Sequence, residues 1–237
     1  MNKENISHYI DHTNLSKTAS VEDIKLLCKT AKENNTFSVC VAPYFVCTAK
    51  KELENSKVSV CTVVGFPNGY STTHTKLIET MDALLNGADE IDMVVNINMI
   101  KDKKWNDIKE EISLISDMCH YGYNNNKYAN LKVIVETCLL TNEEKLKMCD
   151  ICIEANADFI KTSTGFDKLG ADIEDIKLMK QHIGNRKLFI KASGGIKTIE
   201  DAEKMINAGA SRIGASSLFN KELIKNPPLT AFDDFVK

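Results

Sequence analysis

Two lysines stand in the same short context. Phe159-Ile160-Lys161 in ADFIKTSTGF and Phe189-Ile190-Lys191 in KLFIKASGGI are each an apolar run that ends in lysine and passes into a loop of small residues. Lysine is almost never fully buried without a partner. Its amine is nucleophilic only when neutral, and burial and a neighbouring cation both favour that form. Two lysines at adjacent apolar strand ends supply both conditions, which is what a Schiff-base enzyme needs toward a carbonyl substrate. The polar residues at the other predicted strand ends are Asp11, Cys40, Asp92 and Glu136. The alternative from chemistry alone is that Asp92 and Glu136 hold the two lysines in structural ion pairs.

The loops carry a second signal. Lys191 is followed by Ala-Ser-Gly194-Gly195, and the last predicted strand runs through Gly214-Ala-Ser216-Ser217 into a helix. Glycine loops of this kind, with a helix N-terminus, form the usual phosphate site of α/β barrels. Thr164-Gly165 offers another side of the same rim. Ordinary turn and cap chemistry is the plainer reading of any one of these loops, and three around one rim favour the phosphate. Metal and nucleotide chemistry find little support. The five histidines form no His-x-His or HExxH pattern, only His12 lies near a strand end, and neither GxGxxG nor GxxxxGK[ST] occurs. Cys149-Asp-Ile-Cys152 matches C-x-x-C, but it sits one turn apart in a helical pattern with no second pair, which predicts buried helix thiols.

These residues need a scaffold that brings strand ends together. The chain alternates strand and helix throughout. After a short leading helix come YIDHT, FSVCVAP, VSVCTVVGF, EIDMVV, LKVIVET, the two FIK segments and RIG as strands. A helix with Ser20 as N-cap and Asp23 completing a capping box follows the first strand. Another, from about residue 71 to Asn86-Gly87, carries Leu77, Ile78, Met81, Leu84 and Leu85 at helical spacing. Longer helices are expected near 105–119 and 142–155, and Asn124-Asn125-Asn126 marks an exposed loop. Eight units with mostly apolar strands in 237 residues predict one domain, 1–237, folded as a closed (β/α)8 TIM barrel with a short N-terminal helix. A weak repeat, NGADEID, ANADFIK and AGASRIG, puts Asp92, Lys161 and Gly214 at equivalent places on strands four, six and eight. Asp92 and Lys161 are therefore expected to point inward at one height, with Lys191 in the neighbouring layer.

The bulk properties narrow the class. A formal charge of -3 and the absence of a basic run argue against nucleic-acid or anionic-membrane partners. No apolar stretch approaches membrane-spanning length, MNKENISHYIDHT lacks the apolar core of a secretory signal, and eight scattered cysteines fit a cytoplasmic protein with reduced thiols.

The pieces IDHTNL, SVCVAP, VVGFPNG, GADEIDMVVNI, LKVIVETCLL, ADFIKTSTGF, IKASGGI and RIGASS, in this order from Ile10 to Ser217, resemble the 2-deoxyribose-5-phosphate aldolase family. These are class I aldolases on a (β/α)8 barrel. The resemblance implies Lys161 as the Schiff-base residue, with Lys191 and Asp92 as proton donors or acceptors. It implies that the Gly194-Gly195 and Ser216-Ser217 loops bind the substrate phosphate. Cys40 matches a cysteine near the family's substrate pocket and is given no necessary role. The implied reaction is reversible cleavage of 2-deoxy-D-ribose 5-phosphate to acetaldehyde and D-glyceraldehyde 3-phosphate, with no metal or organic cofactor. The implied partner is this phosphorylated sugar, in a homo-oligomer with a dimer favoured. The chain ends LTAFDDFVK, without the terminal tyrosine that some relatives fold toward the active site, so pocket closure is not carried over. Another phosphate-binding barrel lyase or isomerase, or a barrel used for binding alone, would not need the paired lysines.

Overall fold

The computed structural model describes residues 6–122 and 128–219. Residues 6 and 7 are helical; the rest of the leading helix, the Asn124–Asn126 stretch, the helix expected after the last strand and the LTAFDDFVK end lie outside the described residues. The first half comprises β1 (Ile10–Asn14), α1 (Val21–Asn34), β2 (Ser38–Val41), α2 (Val46–Glu52), β3 (Ser59–Val64), α3 (Thr73–Leu85) and β4 (Glu90–Val94). A short α4 (Ile97–Lys101) then precedes α5 (Trp105–Tyr121), β5 (Asn130–Ile134) and α6 (Asn142–Glu154). The chain continues with β6 (Phe159–Lys161), α7 (Ile173–Ile183), β7 (Phe189–Ser193), α8 (Ile199–Ala208) and β8 (Arg212–Ala215). The eight strands are parallel, pair in chain order and close on themselves, β8 against β1. This is the expected (β/α)8 barrel.

Local chemistry sets the boundaries. Ser20 caps α1 and Asp23 returns the bond to its backbone, as its spacing predicts; Thr141 with Glu144 and Thr198 with Asp201 do the same for α6 and α8. Asn86 and Gly87 end α3. α4 is an element that the sequence reading did not separate, capped by Asn96 on the backbone of Asn98. The layer between strands and helices is apolar and continuous, from Ile10, Val39 and Val60 to Met148, Cys149 and Cys152. Cys149 and Cys152 are buried thiols on α6, and all eight cysteines are unbonded.

The buried face of α3 differs from the expected one. Ile78 and Leu85 are exposed, whereas Lys76, Thr80 and Ala83 face inward. The cause is a charge pair behind the barrel. Lys76 Nζ donates to Glu111 Oε1 on α5 at 2.8 Å and to the Val94 carbonyl at 2.9 Å, and both side chains are fully buried. Burial pushes the Lys76 amine down, and the Glu111 carboxylate opposes it. Breaking a buried pair from one side strands the other charge. Glu111→Ala is expected to lower unfolding free energy by about 3–5 kcal/mol, read as a shifted midpoint in urea.

Candidate active site

Side chains alternate along a strand, so half of each barrel strand faces the axis. The register ladder, read with the strand tilt of such a barrel, stacks the inward residues in layers of four. The lowest is Ser38, Glu90, Phe159 and Arg212, from β2, β4, β6 and β8. Above it lie Asp11, Cys61, Lys132 and Lys191, from β1, β3, β5 and β7. The third layer, toward the C-terminal mouth, is Cys40, Asp92, Lys161 and Gly214. Asp92 and Lys161 thus share a height and Lys191 lies one layer away, as the internal repeat predicts. The third layer-mate from that repeat, Gly214, is also in place.

Barrel interiors are usually packed with branched aliphatic residues. This one is ionic. Arg212 Nη1 donates to Asp11 Oδ1 at 2.8 Å and to Glu90 Oε2 at 2.9 Å, while its guanidinium carbon sits 3.4 Å from the centre of the Phe37 ring. Lys132 Nζ donates to Glu90 Oε2 at 2.7 Å and to Asp92 Oδ1 at 2.9 Å. Lys191 Nζ pairs with Asp11 and lies 2.7 Å from Asp92 Oδ2. Lys161 Nζ donates to the same Asp92 Oδ2 at 2.7 Å. The Cys61 thiol completes the shell at 3.1 Å from Asp92 Oδ1.

The electrostatics follow. Burial raises the Asp92 carboxyl, but Lys132, Lys161 and Lys191 outweigh it and hold the group well below the usual carboxylate range. Asp11 is likewise pushed up by burial and drawn down further by Arg212, Lys191 and Lys132. Burial works against charge on Lys191 and on Lys132. On Lys191, Asp11 and Asp92 prevail and hold it above the ordinary lysine range; on Lys132, Asp92 heads the groups that do so. Burial keeps the Cys61 thiol far above its usual range, so it remains a donor. The result is a fixed carboxylate and two fixed cations around Lys161, which is only 3% exposed.

The sequence reading placed Asp11, Asp92, Lys161, Lys191 and Cys40 at one mouth, and the fold brings them together inside it. It missed Lys132, Glu90, Arg212 and Cys61. Glu136 needs correction as an ion-pair partner of the lysines. It lies just beyond β5 with φ +50°, and its carboxylate accepts from the Thr164 N–H at 3.1 Å and from the Thr164 hydroxyl. Burial raises its carboxyl, and those Thr164 bonds oppose the rise. Its visible task is to hold the loop after β6.

The phosphate candidates divide. Thr164-Gly165, Gly194-Gly195 and Ser216-Ser217 follow the ends of the adjacent strands β6, β7 and β8. Gly165, Gly194 and Gly195 have φ of +83°, +83° and +77°, a region that disfavours side chains. The β6 and β7 loops touch, since a Cβ on Gly170 would fall 2.1 Å from the Gly194 carbonyl oxygen. Gly214 instead lies inside the barrel, where a Cβ would meet Ser193 Cβ at 3.0 Å and Lys191 Cε at 3.3 Å. It makes room for the Lys191 stem. Across the mouth, Phe66 from the loop after β3 meets Phe166 of the β6 loop edge to face at 5.2 Å, and Phe66 packs with Leu15 against Cys40, Cys61 and Val63. Two groups of three ligand-type side chains, Cys40-Cys61-Asp92 and Asp11-Cys61-Glu90, also lie here, but their carboxylates are already bound to lysine or arginine. His12 follows Asp11, so its side chain faces away from the axis, against Phe219.

Comparison with known proteins agrees with this geometry. Residues 6–221 match the DeoC/LacD family aldolase description. A Vibrio vulnificus protein named deoxyribose-phosphate aldolase 1 is 50% identical over 212 residues, covering 90% of this chain and 93% of the relative. A Clostridioides difficile deoxyribose-phosphate aldolase is 48% identical, covering 94% and 97%. Among solved structures, a Coccidioides immitis chain superposes with a TM-score of 0.86 at 40% identity, covering 92% and 84%. A tetrameric deoxyribose phosphate aldolase from Aeropyrum pernix gives 0.84 at 30% identity, covering 95% and 93%.

Two outcomes follow from the interior. The carboxyls of Asp11 and Asp92 are depressed in the folded state, so their stabilisation is fully present above the unfolded value of about 3.9 and is lost as pH falls below it. Urea unfolding across a pH series is expected to show stability nearly level from neutrality to about pH 4 and falling steeply beneath. Gly214→Ala is expected to displace Lys191 and to cut turnover on the order of 10-fold or more, with a small change in thermal midpoint; unchanged turnover would contradict the packing role.

Proposed function

Since the chain belongs to the DeoC/LacD family of aldolases, we propose that its barrel mouth cleaves 2-deoxy-D-ribose 5-phosphate to acetaldehyde and D-glyceraldehyde 3-phosphate, reversibly and through a Schiff base on Lys161. The chemistry is that of a carbon–carbon lyase in deoxyribose phosphate catabolism. One observation carries the reading: the amines of Lys161 and Lys191 converge on a single oxygen of Asp92, each at 2.7 Å.

The steps use this chain's own groups. Attack on the C1 aldehyde requires the neutral Lys161 amine. With that amine uncharged, the three interior layers hold Lys132, Lys191 and Arg212 against Asp11, Glu90 and Asp92, and the charges balance. The amine adds to C1 and water leaves, forming the iminium. The Asp92–Lys191 pair, through a water, takes the proton of the C3 hydroxyl. The C3–O electrons form the new aldehyde, the C2–C3 bond breaks, and its electrons pass into the iminium to give an enamine. Protonation at C2 and hydrolysis release acetaldehyde and restore the lysine. Thr164, Gly165, Gly194, Gly195, Ser216 and Ser217 receive the phosphate on the β6–β8 side of the mouth. A phosphate there leaves C1 to reach toward Lys161. Gly214 supports Lys191 rather than the anion, and Glu136 orders the Thr164 loop.

Among the described residues no helix is long and apolar enough to cross a membrane. The reading places the enzyme in the cytoplasm, acting on a small phosphorylated sugar as a single catalytic domain in a homo-oligomer.

Incubation with acetaldehyde followed by borohydride reduction is expected to leave one reduced adduct, mapped by mass spectrometry to Lys161. Lys161→Leu is expected to lose both adduct and turnover. Turnover that survives without an adduct on any lysine would sink the covalent reading.

A further inference from the structure

Asp92 is held by both oxygens. Oδ2 faces Lys161 and Lys191. Oδ1 is taken by Lys132 Nζ at 2.9 Å and by the Cys61 thiol at 3.1 Å. Lys132 is fully buried one layer below the reacting amine, so it is screened from the substrate. It is itself fixed from beneath, because Glu90 Oε2 accepts from it at 2.7 Å while Glu90 Oε1 accepts from Asn130 at 3.1 Å.

We propose that Lys132 is a positioning residue for the aldol step: by anchoring Oδ1 it confines Asp92 to presenting Oδ2 alone to Lys161 and Lys191. The proposal rests on the Schiff-base reading of Lys161. Were Oδ1 free, the carboxylate could turn both oxygens onto the Lys161 and Lys191 amines. The Lys161 amine would then be engaged from two sides, and the oxygen meant for the C3 proton would be occupied. The groups around Asp92 are Cys61 from β3, Lys132 from β5, Lys161 from β6 and Lys191 from β7, with Cys40 beside it in its own layer. Asp11, Glu90 and Arg212 act on it through the lysines. Lys132, with Lys161 and Lys191, keeps Asp92 ionised.

Charge counting separates this role from simple structural pairing. With every group ionised, the three layers hold four cations, Lys132, Lys161, Lys191 and Arg212, against three carboxylates, Asp11, Glu90 and Asp92. Lys132→Met removes the surplus positive charge, and Glu90 and Asp92 each keep another cationic partner. Neither carboxylate is stranded, so a lysine that served only to pair charges could be lost without loss of turnover, whereas a positioning lysine could not.

The experiment compares the full chain with Lys132→Met and Lys132→Gln. The Gln amide can still donate to Oδ1 but carries no charge. For Lys132→Met, kcat is expected to fall on the order of 10²-fold with KM little changed. Lys132→Gln should retain more activity. In both, the acid limb of the pH–rate profile should move to higher pH, because Asp92 loses a neighbouring cation that holds its carboxyl down. Borohydride trapping of acetaldehyde on Lys161 should persist in both. Folded variants with unchanged kcat and an unmoved acid limb would overturn the proposal, as would failure of both to fold, which would make Lys132 a folding residue. Absence of trapping in the unsubstituted enzyme would overturn the Schiff-base reading itself, a result distinct from the others.

Discussion

The structure turns on one carboxylate. Asp92 is fully buried and accepts from three lysines on three successive strands, β5, β6 and β7. A lone ion in such a place is prohibitively costly, and a paired one is tolerated only when every partner arrives with good geometry. No short-range element can deliver that. Lys132, Lys161 and Lys191 are 40, 69 and 99 residues from Asp92 in sequence, and only a closed parallel barrel brings their strands level around one axis. Closure and chemistry are therefore a single constraint here.

Two kinds of cohesion share the fold without mixing. Between strands and helices lies a continuous apolar layer, and its burial is the general driving force of folding. Inside the strands lies the ionic stack, sealed at its lower end by Arg212 against Phe37 and Phe159. The aromatic faces suit the guanidinium and shield the pairs above from water. Charge interactions in that dry interior act at a lower effective dielectric than at a surface. This is why Asp11, Asp92, Lys132 and Lys191 depart so far from their ordinary ranges, while the exposed Lys25–Glu22 and Lys177–Glu174 pairs add little.

The sequence made the architecture legible because its signals were local. Apolar strands, capping boxes at Ser20 and the Asn86-Gly87 stop each declare themselves within a few residues. The twin lysines and the NGADEID–ANADFIK–AGASRIG repeat even indicated which residues share a layer. What escaped was polar residues set deeper in the strands. Glu90 and Asp92 stand two apart in EIDMVV, and Lys132 opens the apolar run of LKVIVET. On a strand covered on its outer face, charge at that spacing can only be serving the interior, and this signal was available. Arg212 was hidden by its place at a strand start, where an exposed residue is equally natural. Glu136 misled because it stands just past its strand in a left-handed conformation, which turns it from the axis to the neighbouring loop. Ile78 and Leu85 misled because the Lys76–Glu111 pair claims the inner face of α3.

The layered interior also bears on how such a site is inherited and copied. The reacting lysine draws on a column three residues deep, with charged members on six of the eight strands and an arginine as its foot. A mouth of this kind is not a set of interchangeable fittings on a neutral frame. Grafting Lys161, Lys191 and Asp92 into an aliphatic barrel would import charges without their foundation. The smallest transferable unit is the whole column, and divergence among such barrels should be freest in the loops and helices, where no layer beneath depends on the change.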